Sequence, residues 1–246
     1  MMAIEFPRRL LREKRHSWNL LGVAATPGQT AKSVATLVRS DGGGFWSCSM
    51  SDISLSGGRG LTGRDRQRVT TLLWRAVRQI CDGGINAIIV PRNDALFRPW
   101  PEGLSQTAGL DIAHSDGSLF GDDTGYDQPV IDIVAGAASL RATSIDIGIN
   151  YAGELIGGEA FSIIHPTMGW RMYEIATVDY TDDDAATITF MPPLREAIAA
   201  GTPLEFDRPR CLMRLGATNS MDLNINPWTF NSASVDFVET FESSPP

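Results

Sequence analysis

From residue 130 to the C-terminus the chain consists almost entirely of short apolar segments separated by turn residues. Candidate strands are 130–135, 140–149, 159–164, 171–179, 185–191, 203–206, 210–215 and 233–241. Several alternate with period two, as in Ser144–Ile149 (SIDIGI). That period places one apolar row on one face of a pleated strand. Many short alternating strands with turns between them predict a sandwich or barrel and exclude a helical bundle. The one predicted helix in this half is short, over Leu194–Ala200 (LREAIAA).

The first half reads as a small antiparallel sheet with a helix. Residues 17–25 and 33–39 are candidate strands around a TPGQ turn. The run Asp41–Gly44 (DGGG) is a turn, and Phe45–Leu55 alternates again, with Trp46, Cys48 and Met50 on one side. A long helix over 62–82 follows. Thr62 suits the N-cap, with Asp65 three residues on. Val69, Leu72, Leu73, Ala76, Val77, Ile80 and Cys81 form a stripe expected to pack on the sheet, with the arginines mostly off it. Asp82-Gly-Gly84 ends the helix, and 85–90 forms a buried strand stopped by Pro91. The fold class is therefore mainly β (α+β), in two β-sandwich or barrel-like units, the first with one amphipathic helix on its sheet. The expected division is an N-terminal domain at 1–110, an acidic linker at 111–128 and a C-terminal domain at 129–246, with the linker rich in Asp-Gly turns.

Charge separates the halves. Residues 1–100 carry 15 Lys/Arg against 7 Asp/Glu; the rest of the chain carries 6 against 22. The split suggests a basic layer meeting an acidic layer of a neighbour in an assembly. No apolar run nears the length of a membrane span. The basic segment 1–17 contains Glu5 and Glu13, and the apolar run after it is diluted by Asn19 and Gly22. It reads as an arm leading into the first strand, not as a signal peptide, so synthesis in the cytoplasm is expected. Three widely spaced cysteines, Cys48, Cys81 and Cys211, suit neither a disulfide framework nor a structural zinc site.

Motifs for chemistry are weak. Gly58-x-Gly60-x-x-Gly63 precedes the helix as a dinucleotide fingerprint would, but Asp82 comes too early and Asn93 and Asp94 too late for the acidic ribose ligand. His16, His114 and His165 lie outside any metal motif. The acids around His114 (Asp111, Asp116, Asp122, Asp123) read as turns, and Asp182-Asp-Asp184 as a solvated hairpin tip. No GxSxG elbow occurs, and no carboxylate pair stands out among 29 acids. Arginines on the helix could meet phosphates, yet the acidic second half argues against a dedicated DNA binder. Trp46, Trp74 and Trp170 read as core anchors, Pro192-Pro193 as a corner, and Pro209 between Arg208 and Arg210 as an edge strand or subunit contact. No catalytic, cofactor-binding or metal site is assigned, and no cofactor is expected.

A set of motifs carries a family resemblance. Asp41–Trp46 (DGGGFW), Leu73–Ala76 (LWRA), Asp82–Gly84 with Ile89–Pro91, Gly158–Ser162 (GEAFS) and Arg171–Tyr173 resemble tail proteins of long-tailed bacteriophages and prophages. So do Pro192–Glu196 (PPLRE), Arg208–Arg214 (RPRCLMR) and Val235–Glu239 (VDFVE), in order along nearly the whole chain. Within that group the chain looks most like a distal tail protein. The resemblance implies a non-enzymatic virion protein of the tail tip, assembled in the host cytoplasm. It implies a hexameric ring joining tail tube to baseplate or hub, around a channel through which DNA passes without specific binding. The partners so implied are further copies of the chain, the tube protein and hub or other tail-tip proteins, with no membrane. Ring closure favours mixed charge and exposed strand edges, and the acidic second half is expected to face the channel or the adjacent ring. The alternatives are another tail-tip, hub or tube-like ring protein, a carbohydrate-binding β-sandwich module, and a hydrolase.

Overall fold

A computed structural model describes residues 3–25, 37–40, 42–55, 63–101, 111–112, 126–127, 131–225 and 231–241. Fifteen strands and one α-helix occur among them. In the first part of the chain these are β1 (Arg15–Leu21), β2 (Ala24–Ala25), β3 (Val38–Arg39), β4 (Phe45–Ser54), α1 (Gly63–Cys81), β5 (Ile88–Pro91), β6 (Asp111–Ile112) and β7 (Tyr126–Asp127). Then come β8 (Asp132–Ala135), β9 (Ser144–Tyr151), β10 (Ala160–His165), β11 (Gly169–Asp182), β12 (Ala185–Met191), β13 (Thr202–Leu204), β14 (Arg210–Leu215) and β15 (Ser232–Glu239). The mainly β class is as the sequence predicts.

Two compact units form, and they do not follow the expected division. The first comprises Met1–Pro91, Thr167–Gly169 and Cys211–Pro246; the second comprises Arg92–Pro166 and Trp170–Arg210. The chain's last two strands therefore belong with its first ones. The five-stranded sheet runs β1-β4-β15-β14-β5. Of the expected linker at 111–128, the described residues are β6 and β7, which belong to the second unit and pair antiparallel. Apolar alternation reports a strand's period but not its partner, so the sequence order misled the division. The TPGQ turn, Thr62 and residues 113–125 lie outside the described residues.

In the first unit, Phe237 of β15 sits opposite Cys48 of β4, and Val235 opposite Met50, so their buried faces coincide. Phe6 meets Phe237 edge-on with ring centroids 5.5 Å apart. The alternation of β4 changes phase at Asp52, which adopts φ 54°. Between the pairs Ala233–Ile53 and Val235–Met50, β4 holds one residue more than β15, a bulge. Ile53 and Leu55 are thereby buried in turn. The outer edge of β5 is closed by the N-terminal segment: Phe6 N–H donates to Ile89 O and Ile89 N–H to Ile4 O, both at 2.8 Å. The other edge strand, β1, runs antiparallel to β4 in register over all seven of its residues and has no strand on its outer side among the described residues.

Helix α1 forms where predicted, but it turns a different face inward. Thr70, Trp74, Val77 and Cys81 are buried, whereas Val69, Leu72, Ala76 and Ile80 are exposed. The buried row is rotated by about a quarter turn from the apolar stripe. Two polar anchors hold it there. Thr70 Oγ1 donates to Leu55 O at 2.6 Å, and Trp74 Nε1 donates to Met221 O at 3.3 Å.

The second unit is a six-stranded sheet in the order β10-β11-β12-β9-β8-β13. Ser162 of β10 and Glu205, one residue past β13, exchange both backbone hydrogen bonds at 2.9 Å. The sheet thus nearly closes on itself as a barrel, which removes its edges. Its core is aromatic: Phe161 lies 5.4 Å from Tyr173, 5.7 Å from Phe190 and 5.4 Å from Phe206. The predicted helix over 194–200 does not form. Leu194 N–H donates to Ala142 O, and Ile198 bridges Ala138 antiparallel, so tertiary pairing overrides local helix propensity.

Candidate functional site

A concavity among the described residues lies in the second unit, beside the β11–β12 hairpin. It encloses about 530 Å³ and is lined by Ile149, Gly153, Glu154, Tyr180, Asp182 and Asp183 among others. The loop Ala152–Gly158 forms one wall, and local chemistry fixes it. Gly157 and Gly158 take φ of 108° and 95°, which side-chain-bearing residues rarely adopt. The buried Glu159 carboxylate accepts from Ile156 N–H and Gly157 N–H, both at 2.8 Å. Tyr180 Oη accepts from Leu155 N–H at 2.7 Å and donates back to Leu155 O at 3.3 Å. Gly153 packs so closely against Trp100 O that an added Cβ would clash with it.

The opposite wall is the hairpin tip. Asp182 ends β11, and Asp183 and Asp184 turn the chain into β12, as the sequence predicts for that tip. Asp183 N–H donates to Asp182 Oδ1 at 2.9 Å. Glu154, Asp182 and Asp183 take part in no ion pair among the described residues. The hollow is thus negative, with Ile149 and Tyr180 as an apolar side and Ile156 82% exposed on the same loop. Such a surface attracts cations.

The cations of this unit are mostly spoken for. Arg210 stacks 4.1 Å above the Trp170 ring and pairs with Glu205 at 3.2 Å. Arg98 pairs with Asp207 at 2.8 Å, lies 5.6 Å from the Trp100 ring centroid, and is lowered from its ordinary pKa by burial. Arg92 pairs with Asp94 and with Glu174, the latter at 2.7 Å. Trp170 is accordingly a half-buried platform for Arg210, while Trp46 and Trp74 are the core anchors expected. Pro209 is buried, and its carbonyl accepts from Arg92 N–H at 2.8 Å.

The other sequence candidates are scattered. Gly58 and Gly60 lie outside the described residues, and Gly63 opens α1. Asp94 is engaged by Arg92. His16 lies on β1 at 3.4 Å from the Glu13 carboxylate. His114 is outside the described residues, and His165 is buried with Nε2 2.8 Å from Tyr173 Oη. Cys48, Cys81 and Cys211 are free and buried, and burial pushes the Cys81 thiol up to about 11. Among the described residues no three His, Cys, Asp or Glu side chains could hold a metal ion, and no helix is long and apolar enough to cross a membrane.

Sequence reasoning treated Asp182–Asp184 as an isolated tip and missed Glu154 and Tyr180 beside it. The legible signal was Gly157-Gly158-Glu159, a tight turn with a carboxylate positioned to cap it. No protein-family model matches this chain, and no curated protein shows significant similarity to it.

Proposed function

We propose that this chain is a structural component of a bacteriophage tail tip, the distal tail protein, which assembles as a hexameric ring between tail tube and hub. The observation that carries the reading is the distribution of strand edges. The barrel of the second unit nearly closes, the β5 edge is covered, and β1 keeps a seven-residue outer edge with no strand against it among the described residues. An open edge is a template for pairing with another chain, and stable proteins seldom leave one without a use. The motif series set out above supports the same reading. In it the ring does mechanical work: it couples the tube to receptor-binding or hub proteins and surrounds the DNA. Acidic surface of the second unit faces the channel or an adjacent ring, where like charge keeps DNA from sticking. Immunogold labelling of phage particles tests this directly. Label at the junction of tube and tip supports it; label on the capsid, or on no particle, overturns it.

A further inference from the structure

Helix α1 leaves an apolar row partly exposed. Val69, Leu72 and Ile80 are 38%, 49% and 39% exposed, and Ala76 lies between them. Arg68 and Arg75 flank the row, exposed and in no ion pair among the described residues. A helix face that is apolar along one side and guanidinium-bearing along the other matches a surface of the opposite sign with its own apolar side. The hollow of the second unit is that surface. It offers Glu154, Asp182 and Asp183 as carboxylates and Tyr180 and Ile149 as apolar contacts, with Ile156 protruding from the neighbouring loop outside it.

We propose that α1 of one copy docks into the acidic hollow of a second copy, with Arg68 and Arg75 meeting its carboxylates and Leu72 meeting its apolar side. The occupant is a second copy because one chain carries both complementary faces. A contact between two different faces of identical chains is heterologous, and repeating it builds a ring where the rotation between copies closes. This inference rests on the ring reading and names the contact within it. Carboxylates outside the hollow remain available to the channel wall.

Charge reversal tests the contact. The R68E/R75E and D182K/D183K double variants are made in the full chain, alone and combined, and their assembly is followed by native mass spectrometry. Each double variant is expected to weaken self-association by at least about tenfold, and the four-fold combination to recover most of it. All six positions probed are exposed, so unchanged circular-dichroism melts will show that folding is intact. An independent measurement pairs Leu72→Cys with Ile156→Cys. A ladder of covalent multimers on a non-reducing gel supports the contact; a cross-link confined within one chain, or none, overturns it. If the oligomer persists unchanged through both reversals, this contact is wrong while the ring stands. If the unmodified chain stays monomeric at every concentration, both fall.

Discussion

His165 shows how a single buried side chain sets a condition on the fold. Its Nε2 lies 2.8 Å from Tyr173 Oη, and that oxygen also accepts from Arg195 N–H at 3.1 Å. The ring is 1% exposed. Burial, against an opposing pull from Glu196 and with a further push from Arg171, lowers its pKa from 6.5 to about 4. The neutral ring therefore belongs to the folded state. Above about pH 6.5 neither state is protonated, and His165 adds no pH dependence. As the pH falls below that value the unfolded chain binds the proton first, and stability is lost progressively until the folded pKa is reached. The full loss is on the order of 3 kcal/mol. Urea titrations between pH 7 and pH 4 will show this decline, and His165→Gln will flatten it. An equal slope in the variant would assign the acid sensitivity to other groups.

At the scale of elements, α1 shows what an apolar pattern can and cannot tell. The helix and its ends were legible from the stripe and from Asp82-Gly-Gly84. Which side faces inward was not, because Trp74 and Thr70 outweigh a row of smaller aliphatics: Trp74 buries a large ring, and Thr70 satisfies a backbone carbonyl. Trp74→Ala should therefore cost about 3–5 kcal/mol, whereas Leu72→Gln should stay within about 0.5 kcal/mol. Denaturant unfolding at concentrations below assembly measures both. Comparable losses would mean that the stripe read from sequence is the buried one. β4 gives a similar lesson. Its alternation was visible up to Met50, but the bulge at Asp52 that re-phases Ile53 arises from pairing with β15. A residue nearly two hundred positions away is not visible in a local pattern. The acidic hollow was only half legible for the same reason: the Asp182–Asp184 tip is local, and its partner loop is brought in by Tyr180 and Glu159.

At the scale of the whole molecule, the chain begins one unit, builds the other, and returns to finish the first. β15 is the middle strand of the five-stranded sheet, hydrogen-bonded to both β4 and β14. Deleting residues 232–246 should thus unfold the first unit while the closed sheet of the second persists. Hydrogen exchange would then show lost protection in β1 and β4 and retained protection in β9 and β12; intact protection in β4 would contradict the topology. The same architecture leaves the outer side of β1 with no strand against it among the described residues, and it gathers exposed carboxylates at the hollow of the second unit. The proposed ring would repeat this chain around an axis. The mass of the native assembly tests this most directly, by mass spectrometry of the purified full-length chain. A closed six-copy species is expected at micromolar concentration, dissociating as salt rises. A monomer at every concentration and ionic strength would contradict it.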